Sequence, residues 1–68
     1  MNKYMQKLLQ GKTQRELASE LGVSHVLVYR WLHELQKVPA YMALRIHKIT
    51  GGQIKYYQIR PDLDKIDT

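Results

Sequence analysis

His25, Val26, Tyr29 and Arg30 are the side chains whose types and spacing carry the most chemistry in this chain. Placed on one side of a helix, they hold what is needed to read the edges of DNA bases. The Arg30 guanidinium can grip guanine with two hydrogen bonds, and Val26 can touch a thymine methyl. His25 can donate or accept at a base edge or a phosphate. Tyr29 can stack, or donate its hydroxyl to a phosphate. Lys12, Lys37 and the helix starts at Thr13 and Ser24 are the candidates for holding the phosphate backbone. His25 reads as a surface contact and not a metal ligand, because the chain has no cysteine and no second histidine at ligand spacing. Neither a metal nor a cofactor is expected.

Two short helices joined by a tight turn must position these groups. In residues 14–33, Leu17, Ala18 and Leu21 recur at helical spacing, and so do Val28, Trp31, Leu32 and Leu35 beyond them. Thr13 and Glu16 match a capping box at the start of the first helix. Ala18 is small where a second helix would cross closely. Gly22 ends the first helix, since a left-handed turn residue costs glycine almost nothing and other residues about 1 kcal/mol or more. Ser24 caps the second helix, and Val23 with Val28 matches a hydrophobic staple. Val28, Trp31, Leu32 and Leu35 then form an inner face, leaving His25, Val26, Tyr29, Arg30 and Glu34 outside. A second helix held out in this way is the element that helix-turn-helix proteins place in a DNA major groove. Helix pairs with a glycine turn also occur in domains that bind no nucleic acid. The agreement in register of capping box, glycine, serine cap, valine and tryptophan favours the DNA-facing reading.

The flanking segments add elements around this pair. Residues 2–10 read as a helix with Tyr4, Met5, Leu8 and Leu9 inward, ended by Gly11. Pro39 suits the first turn of a further helix over 39–50, with Met42, Ala43, Ile46 and Ile49 inward and Gly51-Gly52 as its stop. The start of that helix, with Lys37 beside it, could approach a phosphate. Residues 53–60 are open to two readings. Alternating aromatic and β-branched residues favour a strand, which could pair with its own copy and so make a dimer. A short helix packing Ile54, Ile59 and Leu63 is the other. Four helices are thus expected, an all-α class with 53–60 as a possible strand. Residues 1–63 make one domain, and 64–68 an acidic tail without periodicity.

Composition narrows the function classes. Eleven Lys and Arg against six Asp and Glu give a net charge of +5, which fits a polyanionic partner. Lys12, Arg15, Arg30 and Lys37 flank the helix pair. A chain of 68 residues buries only a small core. No apolar run is long enough for a bilayer span or a secretion signal, so a cytoplasmic protein without a membrane partner is expected. Catalysis is not expected: Glu16, Glu20 and Glu34 read as caps and surface charges, and no acid stands with Ser24, His33 or His47 as a triad.

The segments Val38-Pro39-Ala40, Thr50-Gly51-Gly52 and Arg60-Pro61-Asp62, following the helix pair at their present separation, resemble the Cro/YdaS-type group of small phage and prophage helix-turn-helix repressors. The resemblance covers about residues 5–63. It implies a bundle of about five helices and a homodimer that binds double-stranded operator DNA in the bacterial cytoplasm. It also implies that Gln14 touches a phosphate and supports a recognition side chain, with His25, Val26 and Arg30 facing the bases. The chain departs from the group's common form at Tyr41, where an acidic residue is frequent, and at Lys55-Tyr56-Tyr57. A repressor reading operator DNA with the helix at 24–35 is thus the expected function. The alternative is an antitoxin-like module or prophage regulator whose main partner is a protein.

Overall fold

The computed structural model describes residues 1–62. Leu63 and the expected tail at 64–68 lie outside the described residues. Within them the chain forms five helices and no strand: α1 (Lys3–Leu8), α2 (Gln14–Leu21), α3 (His25–Leu32), α4 (Ala40–Ile49) and α5 (Tyr56–Ile59). The all-α class expected from the sequence holds. The helices fall into two compact units, α1 to α3 within Met1–Lys37 and α4 with α5 in the unit that begins at Val38.

Side-chain caps fix where the first three helices start. Asn2 does not open α1 as a helical residue but caps it, its Oδ1 accepting from the N–H groups of Tyr4 (3.0 Å) and Met5 (3.1 Å). At α2 the capping box is complete: Glu16 N–H donates to Thr13 Oγ1 at 3.1 Å, and Thr13 N–H donates to Glu16 Oε1 at 2.8 Å. Ser24 Oγ accepts from Leu27 N–H at 3.4 Å and caps α3.

Gly22 stops α2 at φ 72°, in the left-handed region. The Val23 N–H then reaches back to the Ala18 carbonyl (3.0 Å) and the Gly22 N–H to that of Ser19 (3.3 Å). These are the two closing bonds of a Schellman turn. They bring α3 back onto α2, and both α2 and α1 pack on α3. Leu17, Leu21, Val28 and Met5 are fully buried in this unit, with Ala18, Trp31 and Leu32 nearly so. Each large apolar side chain so buried contributes on the order of 1.5–3 kcal/mol. The Trp31 indole Nε1–H is buried and finds no acceptor among the described residues.

Helix α3 is shorter than the expected 24–35, and Leu35 is not part of its inner face. Glu34 adopts φ 59°, and a second Schellman pair closes the helix, Leu35 N–H to the Arg30 carbonyl (2.8 Å) and Glu34 N–H to that of Trp31 (3.3 Å). The left-handed step at Glu34 turns the chain before Leu35 can face inward, and Leu35 is 68% exposed. A glutamate occupies a conformation that glycine adopts freely, so periodicity alone gave no sign of the stop.

The second unit is built on α4, which buries Met42, Ala43 and Ile46. Pro39 precedes the helix at φ −64° and does not form its first turn. Ile49, expected inward, is 51% exposed: it shares the Met42–Ile46 face but is the last residue of α4. Gly51 (φ 61°) and Gly52 (φ 85°) then reverse the chain. Thr50 Oγ1 donates to the Ile46 carbonyl at 2.8 Å and accepts from Ile54 N–H at 3.2 Å, which draws Ile54 into burial.

The strand reading of 53–60 is overturned: residues 56–59 form α5. A lone strand would leave its backbone polar groups without partners, whereas one helical turn pairs several of them. Gln58 N–H donates to the Lys55 carbonyl (3.0 Å) and Arg60 N–H to that of Tyr56 (2.9 Å). The Gln58 side chain accepts from Lys55 N–H at 2.9 Å. With no strand there, the route to a dimer by strand pairing falls away. The expected helix packing survives in part, with Ile54 buried and Ile59 half-buried. Beyond α5, Arg60 clasps Asp62 through Nε (2.9 Å) and Nη2 (2.7 Å) and donates from Nη1 to the Val38 carbonyl at 3.0 Å. The hydrogen bond to Asp62 raises the guanidinium above its ordinary range, so Arg60 stays charged at any working pH. No described helix is long and apolar enough to cross a membrane.

Candidate nucleic-acid interface

The register of α3 is set from below. Val28, Trp31 and Leu32 are 0%, 1% and 6% exposed, so the helix cannot rotate without lifting them out of the core. That fixes which side chains remain outside. His25, Val26, Tyr29 and Arg30 are all exposed and lie within about 140° of the helix circumference, at ~100° per residue. His25 and Val26 occupy the first turn, the part of a recognition helix that meets base edges. Arg30 stands one turn further along. The result is a convex surface with an imidazole, an aliphatic side chain, a phenol and a guanidinium side by side. It can donate and accept hydrogen bonds and make apolar contact, and it carries no acid.

Tyr29 is not a free arm. Its ring lies 4.3 Å from that of His33, tilted by 45°. His33 is half-buried at the end of α3 and thus restricts where the phenol can point. From sequence, His33 enters only in setting aside a catalytic triad. Its i, i+4 spacing from Tyr29 was the available signal.

The residues considered for phosphate contact fall into three places. Lys12, Thr13 and Gln14 lie at the start of α2, and Ser24 lies at the start of α3. Both starts carry unpaired N–H groups and the positive end of a helix dipole, softened by the caps. Thr13 and Ser24 are already engaged as acceptors in those caps; each hydroxyl still has a proton to donate. Lys37 is exposed beyond the end of α3 and belongs to neither helix start.

Lys12 has a partner that the sequence did not reveal. Its Nζ lies 2.9 and 3.0 Å from the two carboxylate oxygens of Glu20. The pair joins the segment before α2 to the last turn of α2, eight residues on, a span no local spacing rule covers. Glu20 therefore occupies Lys12, and any phosphate brought there would compete with its carboxylate.

The comparisons with known proteins bear on the whole of this arrangement. No curated protein matches the chain, and neither does any solved structure. One family model does match, that of the bacterial toxin YdaS, over residues 10–67. The match takes in α2, the Gly22 turn, α3, α4 and α5. The chain therefore belongs to the family described as bacterial toxin YdaS.

Proposed function

We propose that this chain is a sequence-specific DNA-binding regulator, a Cro-like repressor that holds double-stranded operator DNA as a homodimer with α3 in the major groove. The observation that carries the reading is the division of α3. Buried Val28, Trp31 and Leu32 lock its register, and exposed His25, Val26, Tyr29 and Arg30 share its outer side. In this mechanism Lys12, Thr13, Gln14, Ser24 and Lys37 hold phosphates and set the docking register. Arg30 reads a guanine and Val26 a thymine methyl. A dimer presents two such helices about 34 Å apart, one per half-site. Repression follows from occupying DNA that polymerase or a competing regulator needs. No bond is made or broken, so no catalytic residue or cofactor enters. The net charge of +5 supports the reading.

Selection of bound duplexes from random DNA tests it. A palindromic winner with half-sites one helical turn apart is the expected outcome. Arg30→Ala should then relax preference at one base pair by about 1–3 kcal/mol. Unchanged discrimination by Arg30→Ala against every operator variant removes Arg30 from the reading face.

The family's description as a bacterial toxin favours a second reading, in which the main partner is a protein and the chain acts as a toxin-like or antitoxin-like module. Mixed-sequence DNA at two salt concentrations separates the two. Weak binding with a steep salt dependence and no preferred site favours the protein partner.

A further inference from the structure

Two side-chain donors of the α4–α5 unit converge on one glycine. Gly52 sits at φ 85° in the reversal after α4. A Cβ placed on it would lie 3.1 Å from Lys55 Nζ and 3.8 Å from His47 Nε2. The missing side chain thus leaves open a space that both nitrogens flank. His47 presents a donor there because of its other nitrogen. Nδ1 accepts from Tyr56 N–H at 3.2 Å, which fixes the proton of the neutral ring on Nε2. Lys55 is not needed to cap α4, since the last carbonyls of that helix already have donors. Ile46 accepts from the Thr50 hydroxyl (2.8 Å), His47 from Gly52 N–H (2.9 Å) and Lys48 from Gly51 N–H (3.1 Å). No carboxylate among the described residues pairs with Lys55 or His47, and no Asp or Glu occurs in residues 38–61.

We propose that His47 Nε2–H and Lys55 Nζ, meeting over the Gly52 backbone, form a binding site for a phosphate group. The ammonium is a compact charge of the kind that binds phosphate, and the imidazole N–H adds a directed bond to a second oxygen. Tyr56 N–H holds the ring, so this donor is oriented before the ligand arrives and less ordering is lost on binding. Glycine at position 52 lets the anion come close to the main chain. A carboxylate could meet the same donors, but it has fewer acceptor oxygens and never a second charge. Two sources carry the group: free phosphate and the phosphodiester backbone of nucleic acid. The site uses no residue of the α3 face and stands apart from the reading of DNA by that helix.

The test is an NMR titration of the full chain, read at the backbone amides and at the imidazole nitrogens of His47. The probes are inorganic phosphate, acetate, chloride and a mixed-sequence DNA duplex, all at one ionic strength. Before any addition, the neutral ring should carry its proton on Nε2. Phosphate should then shift Gly52, Lys55 and the His47 Nε2 resonance saturably and beyond the effect of chloride, with acetate binding more weakly. Lys55→Met should weaken phosphate binding by about tenfold, the worth of one charge-assisted hydrogen bond. Gly52→Ala should weaken it too by filling the space. Its positive φ also costs folding stability, so Lys55→Met, which keeps every backbone bond of α5, carries the decision. Shifts at this site with the duplex as well identify a nucleic-acid backbone as the source; shifts with inorganic phosphate alone identify free phosphate. The proposal is overturned if neither moves these signals beyond chloride, if acetate binds as tightly, if Lys55→Met leaves the affinity unchanged, or if the proton is on Nδ1. A duplex that shifts His25 to Arg30 while no probe moves the Gly52 site leaves the DNA-binding reading standing and removes this one. Shifts at Gly52 with an unmoved α3 face do the reverse.

Discussion

Glu20→Gln releases Lys12, and the consequence for DNA binding can be worked from the geometry. In the free protein the ammonium sits 2.9 Å from one Glu20 oxygen and 3.0 Å from the other. The side chains are 28% and 50% exposed. Water screens a pair at that exposure, so it is worth about 0–1 kcal/mol. If Lys12 binds a phosphate, it must leave Glu20 first, and up to about 1 kcal/mol is lost from the net binding energy. That is about a fivefold weaker Kd than a lysine held by nothing would give. Glu20→Gln should therefore tighten binding to a duplex by up to about fivefold and lower folding stability by no more than about 1 kcal/mol. Removing any carboxylate near DNA also tightens binding, so the single variant does not decide the matter. The deciding step is Lys12→Met in the Glu20→Gln background, followed by fluorescence anisotropy of a labelled duplex over a salt series. A lysine on a phosphate accounts for about 0.9 of the slope of log K against log salt, and that increment should disappear. If Lys12→Met leaves both the slope and the Kd of the Glu20→Gln protein unchanged, Lys12 holds no phosphate and the reasoning fails.

Gly22→Ala should destabilise the helix pair by about 1 kcal/mol, because the φ of 72° costs an L-residue about 1–2 kcal/mol and the gain from a stiffer unfolded chain offsets only part. Denaturant unfolding followed by the single, buried Trp31 measures it; an unchanged midpoint would mean that the turn relaxes. Thr50→Val keeps the side-chain volume but leaves Ile54 N–H without its 3.2 Å acceptor. A loss of about 1–3 kcal/mol is expected, and hydrogen exchange at the Ile54 amide should accelerate more than at Val28. Thr13→Ala breaks the capping box and should cost about 0.5–2 kcal/mol. Its double-mutant cycle with Glu16→Ala should be strongly non-additive, because the two side chains cap each other.

Local chemistry explains which parts of this fold were legible in the sequence. Thr13 with Glu16, Gly22, and Ser24 act within a few residues of themselves, so type and spacing suffice to place α2, the turn and the start of α3. The buried stripes of α2 and α3 follow from periodicity for the same reason. The failures lie where a backbone state is not signalled by its residue. Glu34 takes a left-handed conformation with no glycine to announce it, and Leu35 is carried outward with it. Residues 53–60 carry strand-forming types, yet pairing decides a strand and no partner strand exists among the described residues. The decisive interaction there is the Thr50 hydroxyl binding Ile54 N–H across a Gly-Gly reversal, and propensity does not encode it.

The same limit governs the interface. Periodicity identifies which α3 side chains must be outside, since Val28, Trp31 and Leu32 have to be inside. It does not establish that an outside cation is available to a ligand. Lys12, read from sequence as a phosphate contact, is already held by a carboxylate at the far end of α2. Tyr29 is steered by His33. Arg30 has no such acidic neighbour at helical spacing on its own side of α3: Glu34, four residues on, is turned out of the helix by its left-handed backbone. Had α3 continued through residue 35, the i, i+4 spacing would have set Glu34 beside Arg30 as an ion-pair partner. The early Schellman stop thus keeps a carboxylate from standing beside Arg30 on α3. Glu34→Gly should preserve that stop and leave Arg30 discrimination intact. Glu34→Ala, which favours continuing the helix but carries no charge, should leave it intact as well. A drop in base discrimination with either variant would show that Glu34 supports Arg30 instead of being kept away from it.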